Sequence, residues 1–109
     1  DKAFSMIAGG EIKDGKTIRK ILLQSILWFE AKGDYVKIVT QQGSFVIHTT
    51  LRGLEEKLSG GEFVRIHRGY IIPVNKIDYI EDGAAFIQGT PLPVSENYKN
   101  ELLKNLRLL

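Results

Sequence analysis

Apolar and polar positions alternate with a period of two along much of this chain, the pattern of strands that bury one face. Tyr35 to Thr40 shows it best: Tyr35, Lys37 and Val39 fall on one side, and Val36, Ile38 and Thr40 on the other. The same reading predicts strands at Phe4 to Ile7, Glu11 to Lys13, Thr17 to Leu23, Ser25 to Glu30 and Phe45 to Thr49. Further strands are predicted at Phe63 to His67, Tyr70 to Ile72, Lys76 to Glu81, Ala84 to Gln88 and Pro91 to Val94. Turn chemistry separates them. Asp14-Gly15 and Asp82-Gly83 are tight-turn signals, Lys32-Gly33-Asp34 and Gly89-Thr90 break the chain, and Gln41 to Ser44 closes a hairpin. Pro73 predicts a strand that is short or at a sheet edge, because proline cannot donate to a ladder.

Two segments change period. Leu51, Leu54 and Leu58 lie at i, i+3 and i+7, one face of a helix that Thr50 caps and Ser59-Gly60-Gly61 ends. Near the C-terminus, Tyr98, Leu102 and Leu106 recur every four residues with Leu103 beside them. Ser95 is placed to cap that helix, and Glu96 suits its positive dipole end. About ten short strands and two short helices make a mostly β fold, with neither internal repeat nor low-complexity stretch.

Composition bounds what such a fold does. The chain has 109 residues, 43% hydrophobic and 26% charged, which fits one domain with one modest core. The absence of cysteine excludes a disulfide scaffold, a thiolate metal site and a cysteine nucleophile, and fits a reducing, cytoplasmic compartment. No apolar run approaches the ~20 residues of a membrane span; Ile21 to Phe29 is interrupted by Gln24 and Ser25. No signal-peptide pattern opens the chain, and Asp1 rather than methionine begins it, so we expect a piece of a longer protein. A net charge of +2 is weak evidence for a nucleic-acid partner. Position must carry that argument, not the total.

Catalytic constellations are not visible. His48 and His67 form no His-x-x-x-His pair, so neither a metal nor a cofactor is expected. Glu55-Glu56 and Glu81-Asp82 read as a solvated helix face and a hairpin tip, not as carboxylates converging in a cleft. Gly9-Gly10, Gly53 and Gly60-Gly61 match neither a dinucleotide fingerprint nor a P-loop, and no nucleophile elbow is present. The expectation is no enzyme.

Three loops carry chemistry that turns alone do not require. His67-Arg68-Gly69 interrupts two core strands with an imidazole, a guanidinium and a glycine that lets backbone approach a partner. A guanidinium fork suits phosphate and the guanine edge. Lys32-Gly33-Asp34-Tyr35 forms a second polar connection, and Ser95-Glu96-Asn97-Tyr98-Lys99 opens a helix whose free N–H groups attract phosphate. Each has a plainer reading: a surface loop with incidental charge, an ordinary β-turn, and a capped helix.

Taken together these segments resemble the LytTR family of bacterial DNA-binding domains. The resemblance rests on Ile26-Leu27-Trp28-Phe29-Glu30-Ala31-Lys32-Gly33-Asp34-Tyr35-Val36 and on Leu51-Arg52-Gly53-Leu54-Glu55-Glu56-Lys57-Leu58. Its strongest part is Phe63-Val64-Arg65-Ile66-His67-Arg68-Gly69-Tyr70-Ile71-Ile72, followed by Asn75-Lys76-Ile77 and then Pro93-Val94-Ser95. Residues 1–20 match only loosely, as strands or a linker edge; the domain is placed at 21–109.

The resemblance implies an elongated fold of small antiparallel sheets. It also implies the output end of a two-component response regulator, bound as a homodimer, through an N-terminal receiver, to direct repeats of double-stranded promoter DNA. Loops would enter successive major grooves. By position, base reading falls to His67, Arg68, Asp34 and Tyr35, with Asn97 added from the third loop. Phosphate contact and positioning are expected of Lys32, Lys37, Thr50, Arg52, Gly69, Lys76, Ser95 and Lys99, of which the resemblance itself carries Thr50 and Lys99 and residue chemistry the rest. One departure stands out: Glu96 follows Val-Ser where many family members carry a base-reading arginine. A carboxylate accepts from cytosine N4 and repels phosphate. Either the target differs there, or Asn97 takes the role, or the third loop contributes little. The competing reading is a β-rich protein-interaction or ligand-sensing module.

Overall fold

The computed structural model describes residues 4–7, 11–14, 17–58 and 60–106, with side chains from Ile21 onward. Among these residues the first six strands are β1 (Phe4–Ile7), β2 (Glu11–Asp14), β3 (Thr17–Lys20), β4 (Ile26–Lys32), β5 (Tyr35–Thr40) and β6 (Gly43–Ile47). Helix α1 (Leu51–Lys57) follows, then β7 (Phe63–His67), β8 (Tyr70–Pro73), β9 (Tyr79–Glu81), β10 (Ala84–Ile87), β11 (Thr90–Pro93) and helix α2 (Glu96–Asn105). Eight strands form one sheet in the order β3-β2-β1-β6-β5-β4-β8-β7, and β11-β10-β9 form a second. Every pairing is antiparallel except that of β1 with β6, which meet in parallel at Phe4 and Ile47. The domain is elongated, 46 × 25 × 25 Å.

Alternation decides which side chains enter the core. In β5 the buried residues are Val36, Ile38 and Thr40, as the period of two requires. One core gathers Phe29, Val36, Ile38, Ile47 and Ile71 under Leu51 and Leu54 of α1. The other gathers Leu27, Val64, Ile66 and Ile72 against Ala85, Ile87 and Leu92 of the small sheet and Leu102 of α2. Adjacent Ile71 and Ile72 serve opposite cores. In β4 the register shifts between Ile26 and Trp28, and this bulge lets Ile26 and Phe29, three residues apart, enter the same core while Leu27 enters the other. Each fully buried Ile, Leu or Phe contributes about 1.5–3 kcal/mol.

Several boundaries differ from the sequence reading. Lys76 is not in a strand: Val74–Lys76 make a 3-10 turn, and β9 begins at Tyr79. Leu23 likewise leaves β3 for a 3-10 turn over Leu23–Ser25. Pro73 ends a strand that is short, as its proline predicts, at four residues; the strand is flanked by β4 and β7, and Pro73 sits last, where the next amide, Val74 N, donates to Glu62 O. Thr50 caps α1 as expected, its Oγ1 accepting from Gly53 N at 3.0 Å. Ser95 stands at the N-cap of α2 without a side-chain cap bond; its carbonyl accepts from Tyr98 N. The Gly9-Gly10 and Asp14-Gly15 readings involve residues outside those described.

Candidate nucleic-acid interface

Strand register brings most of the sequence-selected residues to one end of the large sheet. Lys32 pairs with Tyr35 across the two-residue turn Gly33-Asp34. Val36 pairs with Ile47, so His48 and the Thr50 cap of α1 leave β6 beside that turn. On the other flank Glu30 pairs with Tyr70, and Ala31 N donates to Gly69 O at 2.9 Å. The β4–β5 and β7–β8 turns are therefore stitched together. Ser95 N donates to Ile66 O at 2.9 Å, which seats the start of α2 against the same end of β7.

The β4–β5 turn is set by its backbone. Gly33 has φ 60 and Asp34 does not share the positive φ, the type II′ pattern that glycine permits in its first position. Asp34 is exposed, Lys32 forms an ion pair with Glu30 at 3.1 Å, and the Tyr35 ring lies 4.9 Å from that of His48. Lys37 lies on the same strand face, opposite Glu30.

The β7–β8 turn is set by side chains. His67 Nδ1 accepts from Gly69 N at 2.9 Å. A neutral imidazole that accepts at Nδ1 carries its proton on Nε2, so the ring's remaining polar edge is a donor. Tyr70 meets the same ring edge-on, centroids 5.7 Å apart. Burial pushes the Tyr70 phenol above its ordinary pKa; the Glu30 carboxylate adds to this and the Lys32 ammonium partly offsets it. Arg68 projects from the tip, exposed, with no side-chain partner among the described residues.

Arg65, which sequence reasoning missed, holds this turn. Its Nε donates to His67 O at 2.8 Å and its Nη2 to Arg68 O at 2.6 Å. Its Nη1 reaches Glu55 Oε1 of α1 at 2.5 Å, and its Cζ lies 5.7 Å from the centroid of the Tyr98 ring of α2. The one available signal was a charged residue two positions before His67, on the face opposite buried Val64 and Ile66.

The remaining residues divide. Arg52 on α1 and Asn97 and Lys99 on α2 are exposed on the two helices whose starts reach this end. Ser95 is half-buried and held through its backbone. Lys76 is not brought to the cluster. It lies beyond the far end of β8, and its Nζ donates to Gln24 O, next to the start of β4. No group of three or more His, Cys, Asp or Glu side chains is placed to hold a metal among the described residues. No helix there is long and apolar enough to cross a membrane.

The LytTr DNA-binding domain matches residues 16–107. The chain belongs to the LytTR family. It is 30% identical over 99 residues to the sensory transduction protein LytT of Bacillus anthracis, covering 85% of this chain and 40% of that protein. It is 26% identical over 100 residues to LytT of Bacillus subtilis, covering 86% of this chain and 42% of that protein. The chain thus spans about two fifths of the curated relatives it matches. Its fold matches a solved LytTr DNA-binding domain, that of a putative methyl-accepting/DNA response regulator from Bacillus cereus. The TM-score is 0.75 at 21% identity, with 99% of this chain and 100% of that one covered. The LytTR domain here is therefore mostly β with two helices, as its sequence predicts.

Proposed function

We propose that this LytTR domain is the DNA-reading output module of a two-component response regulator, binding direct repeats in promoter DNA. The observation that carries the reading is the alignment of two polar turns and two helix starts along one end of a single sheet. The tips of the turns, Gly33-Asp34 and Arg68, are exposed. Arg68, exposed and with no side-chain partner among the described residues, supplies a guanidinium fork for a guanine edge, and His67 Nε2–H supplies one further donor beside it. Asp34 and Asn97 flank them with acceptor and amide chemistry. Lys32, Lys37, Thr50, Arg52 and Lys99 surround them as phosphate contacts that set register. Gly69 and Ser95 serve through backbone, holding the turn and the start of α2. Lys76 lies outside this surface and has no part in it.

A bidentate arginine–guanine contact is worth roughly 1–3 kcal/mol of discrimination. One copy is then a modest reader. A homodimer joined through a receiver domain, in the cytoplasm, raises affinity by effective concentration rather than by new contacts. The domain does no catalysis in this scheme and needs no cofactor.

The test is selection of a duplex from randomised DNA, followed by Arg68→Ala. The variant should lose about tenfold or more against the selected duplex while its affinity for scrambled DNA falls little. An equal fall on both duplexes makes Arg68 a phosphate contact and removes the base-reading assignment. Failure to select any sequence removes the proposed function.

A further inference from the structure

We propose that Arg65 is the positioning residue of the DNA-facing end: one guanidinium that fixes the β7–β8 turn relative to both helices. This rests on the DNA-reading function proposed above. Each of its three nitrogens already has a partner: His67 O, Arg68 O and Glu55 Oε1. The side chain is only 16% exposed, and the Tyr98 ring lies near its face. Three of its five N–H donors are thus engaged within the domain, which leaves it little to offer a phosphate. The partners belong to three different elements, namely the turn that carries His67 and Arg68, helix α1 that carries Thr50 and Arg52, and helix α2 that carries Asn97 and Lys99. Arg65 also lines the groove of about 490 Å³ between those helices, where its own side chain is mostly covered while Glu55 is 41% exposed, so the two carbonyl bonds hold the turn and the ion pair is the more screened contact.

The two carbonyls it holds are those of His67 and Arg68 themselves. A carbonyl anchored at each of two consecutive residues fixes the direction in which both side chains leave the turn. Lysine keeps the charge but is a point donor; it cannot hold two carbonyls and a carboxylate on one plane. Arg65→Lys therefore separates positioning from charge.

The experiment measures binding of this chain to the duplex it selects and to a scrambled duplex, over a salt series. The proteins are the wild type, Arg65→Lys, Arg68→Ala and the double variant. Arg65→Lys should weaken the selected duplex about tenfold and leave scrambled binding and the salt slope unchanged. The double variant should lose clearly less than the sum of the two single losses, because part of the Arg65 effect passes through the Arg68 side chain. A loss on both duplexes with a salt slope reduced by about one would make Arg65 a phosphate contact and overturn the proposal. So would additive losses, or no loss at all.

A second arm needs no DNA. Backbone amide resonances of Arg68, Gly69 and Asn97 should move in the free Arg65→Lys protein and, less, in Glu55→Gln, which changes only the α1 partner. Unmoved resonances overturn the proposal even if Arg65→Lys does not fold, since Glu55→Gln carries the same readout. If the wild type selects no sequence, the proposed function fails while this arm still decides whether Arg65 positions the turn.

Discussion

Two hairpin turns stand side by side at the DNA-facing end, and they reach their shapes by opposite means. The β4–β5 turn depends on one backbone conformation, Gly33 at φ 60, and space around that residue is open. The β7–β8 turn has no positive φ at Gly69; a Cβ there would instead meet His67 Nδ1 at 3.4 Å. The first turn is written into the main chain, the second into side chains from β7. A backbone-set turn tolerates changes in its neighbours but not in its glycine. A side-chain-set turn tolerates its glycine's replacement better but depends on distant partners.

Substitution should separate the two turns cleanly. Gly33→Val forces a β-branched residue into the left-handed region, and we expect a loss of about 1–2 kcal/mol or more in urea unfolding. An unchanged stability would mean that the β4–β5 turn rearranges freely. Gly69→Ala, at an ordinary φ with one contact at van der Waals range, should cost well under ~1 kcal/mol. Its larger effect should be on binding to the selected duplex, because the new methyl group sits against the His67 ring. A stability loss equal to that of Gly33→Val would erase the distinction between the turns.

The smallest effect concerns Tyr70, beside the second turn. Its folded-state pKa is raised, chiefly by burial. Above the ordinary phenol value of about 10 the unfolded chain gives up this proton while the folded chain keeps it. The contribution of Tyr70 is therefore intact below that value and is lost as pH rises through the folded pKa. Tyr70→Phe should lose less stability than the wild type between about pH 9 and about pH 11. Parallel declines would show that the phenol is equally hydrated in both states.

Most of the fold was legible because burial follows local rules. The alternation in Tyr35–Thr40, the leucine spacing after Thr50 and the glycine in Lys32-Gly33-Asp34 each specify an element within a few residues. The errors came where chemistry is not local. Lys76 read as a strand start because its charge is visible and its place is not; a 3-10 turn carries it to Gln24, away from the other residues proposed to contact phosphate. Ser95 has the residue type of a cap, yet its position is fixed by a backbone bond to Ile66. Arg65 looked like the polar half of an alternating strand. Its role depends on Glu55, on Tyr98 and on a turn folding back over it, and none of these is implied by the strand in which it lies.

Along β4, Ile26 and Phe29 enter one hydrophobic core and Leu27 enters the other, the bulge keeping the first two on one side. Neither core is complete without β4, so neither half of the domain can melt while the other stays intact. The DNA-facing turns consequently share one cooperative unfolding unit, with the first turn closing the strand that joins the two cores. On heating, the reading surface should therefore be lost together with the whole fold.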